Sequence, residues 1–240
     1  MTAPMARVLV DACLLVKGNI SNVFFDLGQS GLISLHWTPE IAGEFVKNWA
    51  TKRTATDRYS SKTTPAKLYS KIISDNEAKA RERLGDFELM QPEWRIPGWD
   101  FATASKRLPA SRFKVGKSFG VDAKDYHVAL AAARLADAFP NDDIWLATEN
   151  LDDLPAEILS KFHVWSVHQG EALSELFHAE PHSVMGSLLN TLRDTKRPKL
   201  TKQDMIAIVA SGSHFAAPEL SIEIAAYWQK YDIARIRVQK

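Results

Sequence analysis

The stretch DAKDYHVALAAARLADAF at residues 122–139, followed after a short polar turn by IWLATENLDDLP at 144–155, decides the fold. The first part reads as an Ala-rich helix opened by Asp122, and its Ala129, Ala132 and Ala136 form a small-residue face that lets a helix approach a sheet closely. The second part reads as a strand, Ile144 to Thr148, and the turn that leaves it. Working outward, RVLVD at 7–11, LISL at 32–35 and FHVWSV at 162–167 supply further strands, and Leu14-Leu-Val16 also reads as buried β structure. Strands alternating with helices predict an α/β fold whose central, mostly parallel sheet is flanked by helices.

Between the strands the start and stop signals predict helices. Asn22 to Leu27 reads as a short helix closed by Gly28 and Gly31. Thr38-Pro39 is an N-cap followed by proline at the first helical position, and Ile41, Phe45 and Trp49 fall four apart as its buried stripe. The pattern loosens from Thr51 to Thr64. Thr64-Pro65 then opens a second helix, with Leu68, Ile72, Ile73, Ala80 and Leu84 at helical spacing and Gly85 as its C-cap. Residues 92–120 hold three prolines and several glycines and read as loop with short helical turns. From Pro181 the chain turns helical and basic, with helices expected over Val184–Leu192 and Thr201–Ala210. Thr201 and Asp204 have capping-box spacing.

Cys13 is the only cysteine of 240 residues, which excludes an intramolecular disulfide and a thiolate-rich zinc cluster within one chain. A reducing, cytoplasmic setting fits. The N-terminus carries no signal-peptide pattern, and no apolar run reaches 18 residues, so no membrane partner is expected. The net charge of +1 hides a partition. Residues 1–120 carry 18 Lys/Arg against 12 Asp/Glu, residues 121–180 carry 3 against 12, and residues 181–240 carry 9 against 5. An acidic segment between two basic ones suits a metal site flanked by a polyanion-binding surface, and ordinary surface variation gives the same counts.

Several acids occupy special positions. Asp11 closes an apolar strand, where an unpaired carboxylate is costly to bury unless it caps the next loop or meets a cation. Glu40 is explained by the positive end of its helix dipole. Glu44 lies one turn further in and either points beside the buried stripe toward the sheet edge or pairs with Lys47 or Asn48. Asp122 and Asp125 take the N-cap and N3 positions of their helix, where a carboxylate satisfies orphan amides. Asp125 also continues the alanine face, which aims it at the strand ends. Asn150 and Asp153 follow the 144–148 strand, and His127 reads as a partly exposed polar residue. Acids at strand ends and helix starts converge at one edge of an α/β sheet, and an all-oxygen set of this kind suits Mg²⁺ or Mn²⁺.

Four of these stretches, in this order, resemble PIN-domain nucleases, specifically the VapC-like toxins of type II toxin–antitoxin modules. They are VLVD at 8–11, WTPEIAGEFVKNW at 37–49, DAKDYHVALAAA at 122–133 and ATENLDDLP at 147–155. The likeness covers residues 6–170 and extends loosely to the tail. It implies a PIN-like nuclease domain over 5–175, with a long helical and loop insertion at about 50–120, and a small C-terminal helical extension over 181–240. Asp11, Glu44 and Asp125 are then the core catalytic carboxylates and ligands of Mg²⁺ or Mn²⁺, with Asp122 and Asp153 in support. Where many members have a fourth Asp this chain has Asn150, which leaves Asp153 as the fourth carboxylate and Asn150 on the substrate side.

The activity so implied is metal-dependent endoribonuclease cleavage of RNA, tRNA or rRNA among the candidates, by a toxin that a cognate antitoxin blocks and that pairs as a homodimer. Lys106, Arg107, Arg112, Lys114 and Lys117, interleaved with Phe101, Phe113 and Phe119, are the expected phosphate-tracking and base-stacking surface, with a solvated loop as the alternative reading. Arg193 to Lys202 is a second basic patch. The rivals are a DNA- or flap-directed nuclease or a phosphatase with a similar acid cluster, and a non-catalytic PIN-like binding module whose acids only cap helices.

Overall fold

The computed structural model describes residues 5–195 and 199–238. Four apolar runs form the strands β1 (Ala6–Val10), β2 (Ile33–His36), β3 (Ile144–Ala147) and β4 (Val164–Val167), every pair parallel, in the order β2-β1-β3-β4. The expected strand-and-helix architecture is thus present, and among the described residues the sheet is wholly parallel. Register sets the edge that matters. Val10 lies opposite Ala147, and Ala147 opposite Val167, so Asp11, Thr148 and His168 leave the sheet side by side. Chain order reverses direction across the sheet between β1 and β3, and the crevice outside such a switch point is where open α/β sheets place ligands.

The first departure from expectation follows Asp11. Leu14-Leu-Val16 belongs to a short helix, α1 (Ala12–Val16), whose turn closes when the amides of Leu14 and Leu15 donate to the Asp11 carbonyl at 3.1 and 3.4 Å. A three-residue apolar run carries no period that separates buried strand from buried helix. Because β1 and β2 are parallel, the chain between them has to cross over, and helix is the usual form of such a crossover. Helix α2 spans Gly18–Gln29, longer than expected at both ends, so Gly28 lies inside it and does not close it, and Gly31 (φ +77°) makes the turn into β2.

Thr38 caps α3 (Pro39–Thr56) by accepting from the Ile41 amide at 3.3 Å, and Ile41 and Phe45 are buried. That helix continues past Thr51. Helix α4 runs Ala66–Met90, straight through Gly85, so Gly85 is not a C-cap. The glycine sits where nothing crowds it, and Phe87 beyond it stacks on Phe25 at 4.1 Å, an anchor that outweighs a mid-helix glycine's ~1 kcal/mol penalty. Leu68, one of the apolar residues at helical spacing, is exposed, and α4 meets α3 through the buried Asn76 amide donating to Thr54 at 2.9 Å.

After α5 (Phe101–Arg107) and a 3-10 turn at Ala110–Phe113, α6 (Tyr126–Ala138) packs on β1, β3 and β4. Ala129, Ala132 and Ala136 are all buried there, as the close-approach face requires. The short α7 (Ala156–Leu159) precedes β4, and α8 (Gln169–Ala179), α9 (Pro181–Asp194), α10 (Lys202–Ala210) and α11 (Pro218–Val238) follow it. The capping box at Thr201 and Asp204 is formed in both directions. Helix α9 lies on α2, where Ser187 and Thr191 donate to the Asp26 carbonyl and carboxylate. Met205, Phe215, Ile224 and Trp228 join the same buried cluster as β1 and β3. Among the described residues no helix is long and apolar enough to cross a membrane.

Candidate functional site

Asp11 is 4% exposed, and both hydrogen bonds to its side chain fall on Oδ2: the Thr148 hydroxyl donates at 2.8 Å and the Cys13 thiol at 3.1 Å. Thr148 in turn accepts from the Asn150 amide at 3.0 Å, so the turn after β3 fixes the carboxylate at the end of β1. Burial, then the Asp11 charge, pushes the Cys13 thiol far up, which keeps it a neutral donor. Thr148 was not singled out in the sequence. Its signal was register: one residue beyond β3, it faces the residue one beyond β1.

Asp125 takes the N-cap position expected of Asp122, and Asp122 lies outside the helix. Asp122 builds a turn of its own, accepting the Lys124 amide on Oδ1 at 2.9 Å, and Asp125 is the residue before the first helical turn. The Asp125 side chain caps nothing. It is 6% exposed, and its buried Oδ2 has no hydrogen-bond partner among the described residues. An ionised oxygen in that state is disfavoured, and the carboxyl is pushed up to about 6. Burial is the main cause, Asp11 the next, and Asp153 and Asp122 add to it against the opposing charge of Lys124.

Asp153 is drawn to the same place through the backbone, since the Asp122 amide donates to its carbonyl at 3.0 Å. Its carboxylate meets the Lys124 ammonium at 3.0 Å. Lys124, which the sequence reading passed over between two aspartates, feels Asp153, Asp125 and Asp122 together, and they raise its pKa. The structure therefore places Asp125 within electrostatic range of Asp11, Asp122, Asp153 and Lys124. Glu44 is not among the charges acting on Asp125. Its carboxylate, partly exposed on α3, faces His127 Nε2 at 3.6 Å, while His127 Nδ1 donates to the Lys124 carbonyl at 2.9 Å. The 3.6 Å separation is no hydrogen bond, and His127 Nε2 has no hydrogen-bond partner among the described residues.

Among the described residues, no three His, Cys, Asp or Glu side chains are gathered tightly enough to hold an ion. Neighbouring carboxylates repel, and Lys124 is the positive charge placed among them. The donor chemistry nonetheless fits a hard divalent cation: Asp11, Asp125, Asp122 and Asp153 offer only oxygen, and one buried oxygen lacks a partner.

The basic stretch is less uniform than its sequence. Phe113 is fully buried and stacks on Phe162 at 4.5 Å, and Phe101 packs on Tyr126, so neither is free to stack on a base. Phe119 is 87% exposed, held out by a backbone at φ +59°. Arg112 lies over the Phe162 ring beside a cavity lined by Ile144 and His163, at the amino ends of β3 and β4 and away from Asp11. Lys106 and Arg107 end α5, and Lys114 and Lys117 flank the turn leading to Asp122. In the second patch, Lys196 and Arg197 lie outside the described residues. No family model, curated protein or solved structure matches this chain.

Proposed function

We propose that the chain is a divalent-metal-dependent endoribonuclease of PIN-like architecture, a toxin of the VapC type. The observation that carries the reading is the buried, unpartnered Asp125 oxygen beside Asp11, at the strand-order switch point of a parallel sheet. Asp11 and Asp125 would hold Mg²⁺ or Mn²⁺, with Asp122, Asp153 and Glu44 as the further carboxylates. The ion, when bound, supplies a Lewis acid for the phosphoryl oxygens.

The chain's own residues do the positioning. Thr148 and Cys13 orient Asp11 through Oδ2, and α6 presents Asp125 to the strand ends across its alanine face. Lys114, Lys117 and Phe119, which precede Asp122 in the chain, would meet backbone phosphate and a base on the approach, with Asn150 in the turn after β3 on the substrate side, and Arg112 faces away. The resemblance extends the proposal to a cognate antitoxin covering this edge and to a homodimer, which co-purification with the product of an adjacent reading frame and light scattering would test.

Incubation with Mn²⁺ of single-stranded RNA, duplex DNA, flap DNA and a phosphate monoester separates the readings. RNA cleavage that chelation stops, and that Asp11→Asn abolishes with the circular dichroism unchanged, is expected. Cleavage of DNA alone or of the monoester alone selects the rival enzymes. No metal-dependent cleavage of any substrate, with Asp11→Asn indistinguishable from wild type, leaves the non-catalytic module.

A further inference from the structure

The same edge of the sheet carries a second cluster of opposite sign. Lys17, Gly18, Asn19, Lys52, Ser213 and His214 line a cavity of about 320 Å³. They come from three separated parts of the chain: the junction of α1 and α2, the helix α3, and the loop joining α10 to α11. The cavity is tied to the β3 and β4 ends through Glu149, the residue after Thr148. Its carboxylate pairs with the Lys17 ammonium and accepts from Gln169 Nε2 at 2.7 Å, and Gln169 also donates to the His214 carbonyl at 2.6 Å.

The charges in this cavity are incompletely matched. Lys17 is shared between Glu149 and the Ser213 carbonyl at 2.9 Å. Lys52 makes no ion pair among the described residues. The first turn of the twelve-residue helix α2 opens here, at Gly18 and Asn19, and no side chain caps it, so its free amides add partial positive charge. His214 is held by Ser213 Oγ at 3.0 Å and faces Asn19 Nδ2 at 3.5 Å. Burial favours its neutral form, and the Lys17 and Lys52 charges do so further, against Glu149. Two lysines and a helix start, set against a single carboxylate, make a receptor for an anion with several acceptor oxygens.

We propose that this cavity binds a backbone phosphate of the same RNA strand whose scissile bond lies at Asp11 and Asp125. The inference rests on the nuclease reading. Asp11 and Lys17 bracket α1, so the two sites stand on the order of 9 Å apart along that helix, on one edge. A strand crossing the edge meets the acidic site and then the basic one. The Ser213–His214 loop gives the C-terminal helices a part in the site, as one wall of the phosphate pocket.

A fluorescein-labelled single-stranded oligoribonucleotide, titrated by anisotropy in EDTA over a range of salt concentrations, tests this. Lys52 is exposed, so Lys52→Ala and Lys52→Glu remove its charge without disturbing the core. Lys52→Ala is expected to weaken binding several-fold and to reduce the slope of log K against log salt by about 0.7, one phosphate contact, with Lys52→Glu weaker again. Unchanged affinity and slope in both variants overturn the proposal. If those variants also cleave RNA with Mn²⁺ as wild type does, the nuclease reading stands without this subsite. If wild type neither binds nor cleaves RNA, both fall. A parallel titration with inorganic phosphate identifies a free-anion site: phosphate stabilisation of wild type that Lys52→Ala removes, with RNA binding unaffected, overturns the assignment to a strand.

Discussion

Asp125→Asn removes a charge that the fold holds at its own expense. The Asp125 carboxyl is pushed up from 3.8 to about 6, by burial first and Asp11 second. At about 1.4 kcal/mol per unit, that rise corresponds to roughly 3 kcal/mol between the protonated and ionised forms. A carboxyl whose pKa is raised on folding binds its proton more tightly in the native state. Its contribution is therefore neutral below about pH 4, where native and unfolded chains are both protonated, grows unfavourable between about 4 and 6 as the unfolded carboxyl ionises first, and is complete above about 6. Asparagine keeps the shape and drops the charge. The variant is expected to exceed wild type in stability by up to ~3 kcal/mol near pH 7.5, or several degrees in Tm for a chain of this size, and the gap should close as pH falls toward 4. Thermal denaturation of both proteins in EDTA, stepped through that pH range, reads the difference with other titrating groups cancelling. Added Mn²⁺ should then stabilise wild type by mass action and leave Asp125→Asn unmoved. A variant less stable than wild type at neutral pH, or a gap independent of pH, would refute the description of Asp125 as an unsatisfied buried carboxylate.

Lys124→Met should tighten Mn²⁺ binding roughly tenfold in a calorimetric titration. The ammonium lies in the field of Asp153, Asp125 and Asp122 and opposes a cation bound among them, so unchanged affinity would take Lys124 out of the site's field. Gly170→Ala places a Cβ 1.7 Å from the Phe215 carbonyl oxygen, so α8 and the loop after α10 must part, with an expected loss of about 2–3 kcal/mol in chemical denaturation. Wild-type stability in that variant would mean the two segments do not pack as described.

The fold was legible wherever one signal acted alone. The four strands stood out as apolar runs between breakers, and Thr38-Pro39 located the start of α3 to the residue. Misreadings occurred where a local signal competed with tertiary packing. Leu14-Leu-Val16 could serve strand or helix, and the departure from the sheet at Asp11 decided it. Gly85 looked like an end because glycine ends isolated helices, yet Phe87 carried α4 on. Helix α11 was readable and passed unread: Pro218 sits at its start, and Leu220, Ile224 and Trp228, all buried, fall four apart.

The site was harder to read because each acid had a sufficient local explanation, and only the structure shows which explanations hold. The chain contains its own comparison. Asp100 and Asp125 both stand at the N-cap position of a helix. Asp100 uses that position: its carboxylate accepts the Thr103 amide at 2.7 Å, and the Thr103 side chain first and this amide second hold its carboxyl below the usual range. Asp125 accepts no capping bond and is displaced in the opposite direction, by burial first and by Asp11 second. One residue type in one helical position therefore meets opposite electrostatics within a single protein. Capping explains Asp100 and leaves Asp125 unexplained. What remains for Asp125 is its tertiary address, beside the carboxylate that leaves β1 and the hydroxyl that leaves β3, where a cation would relieve the repulsion and give the unpartnered oxygen a ligand.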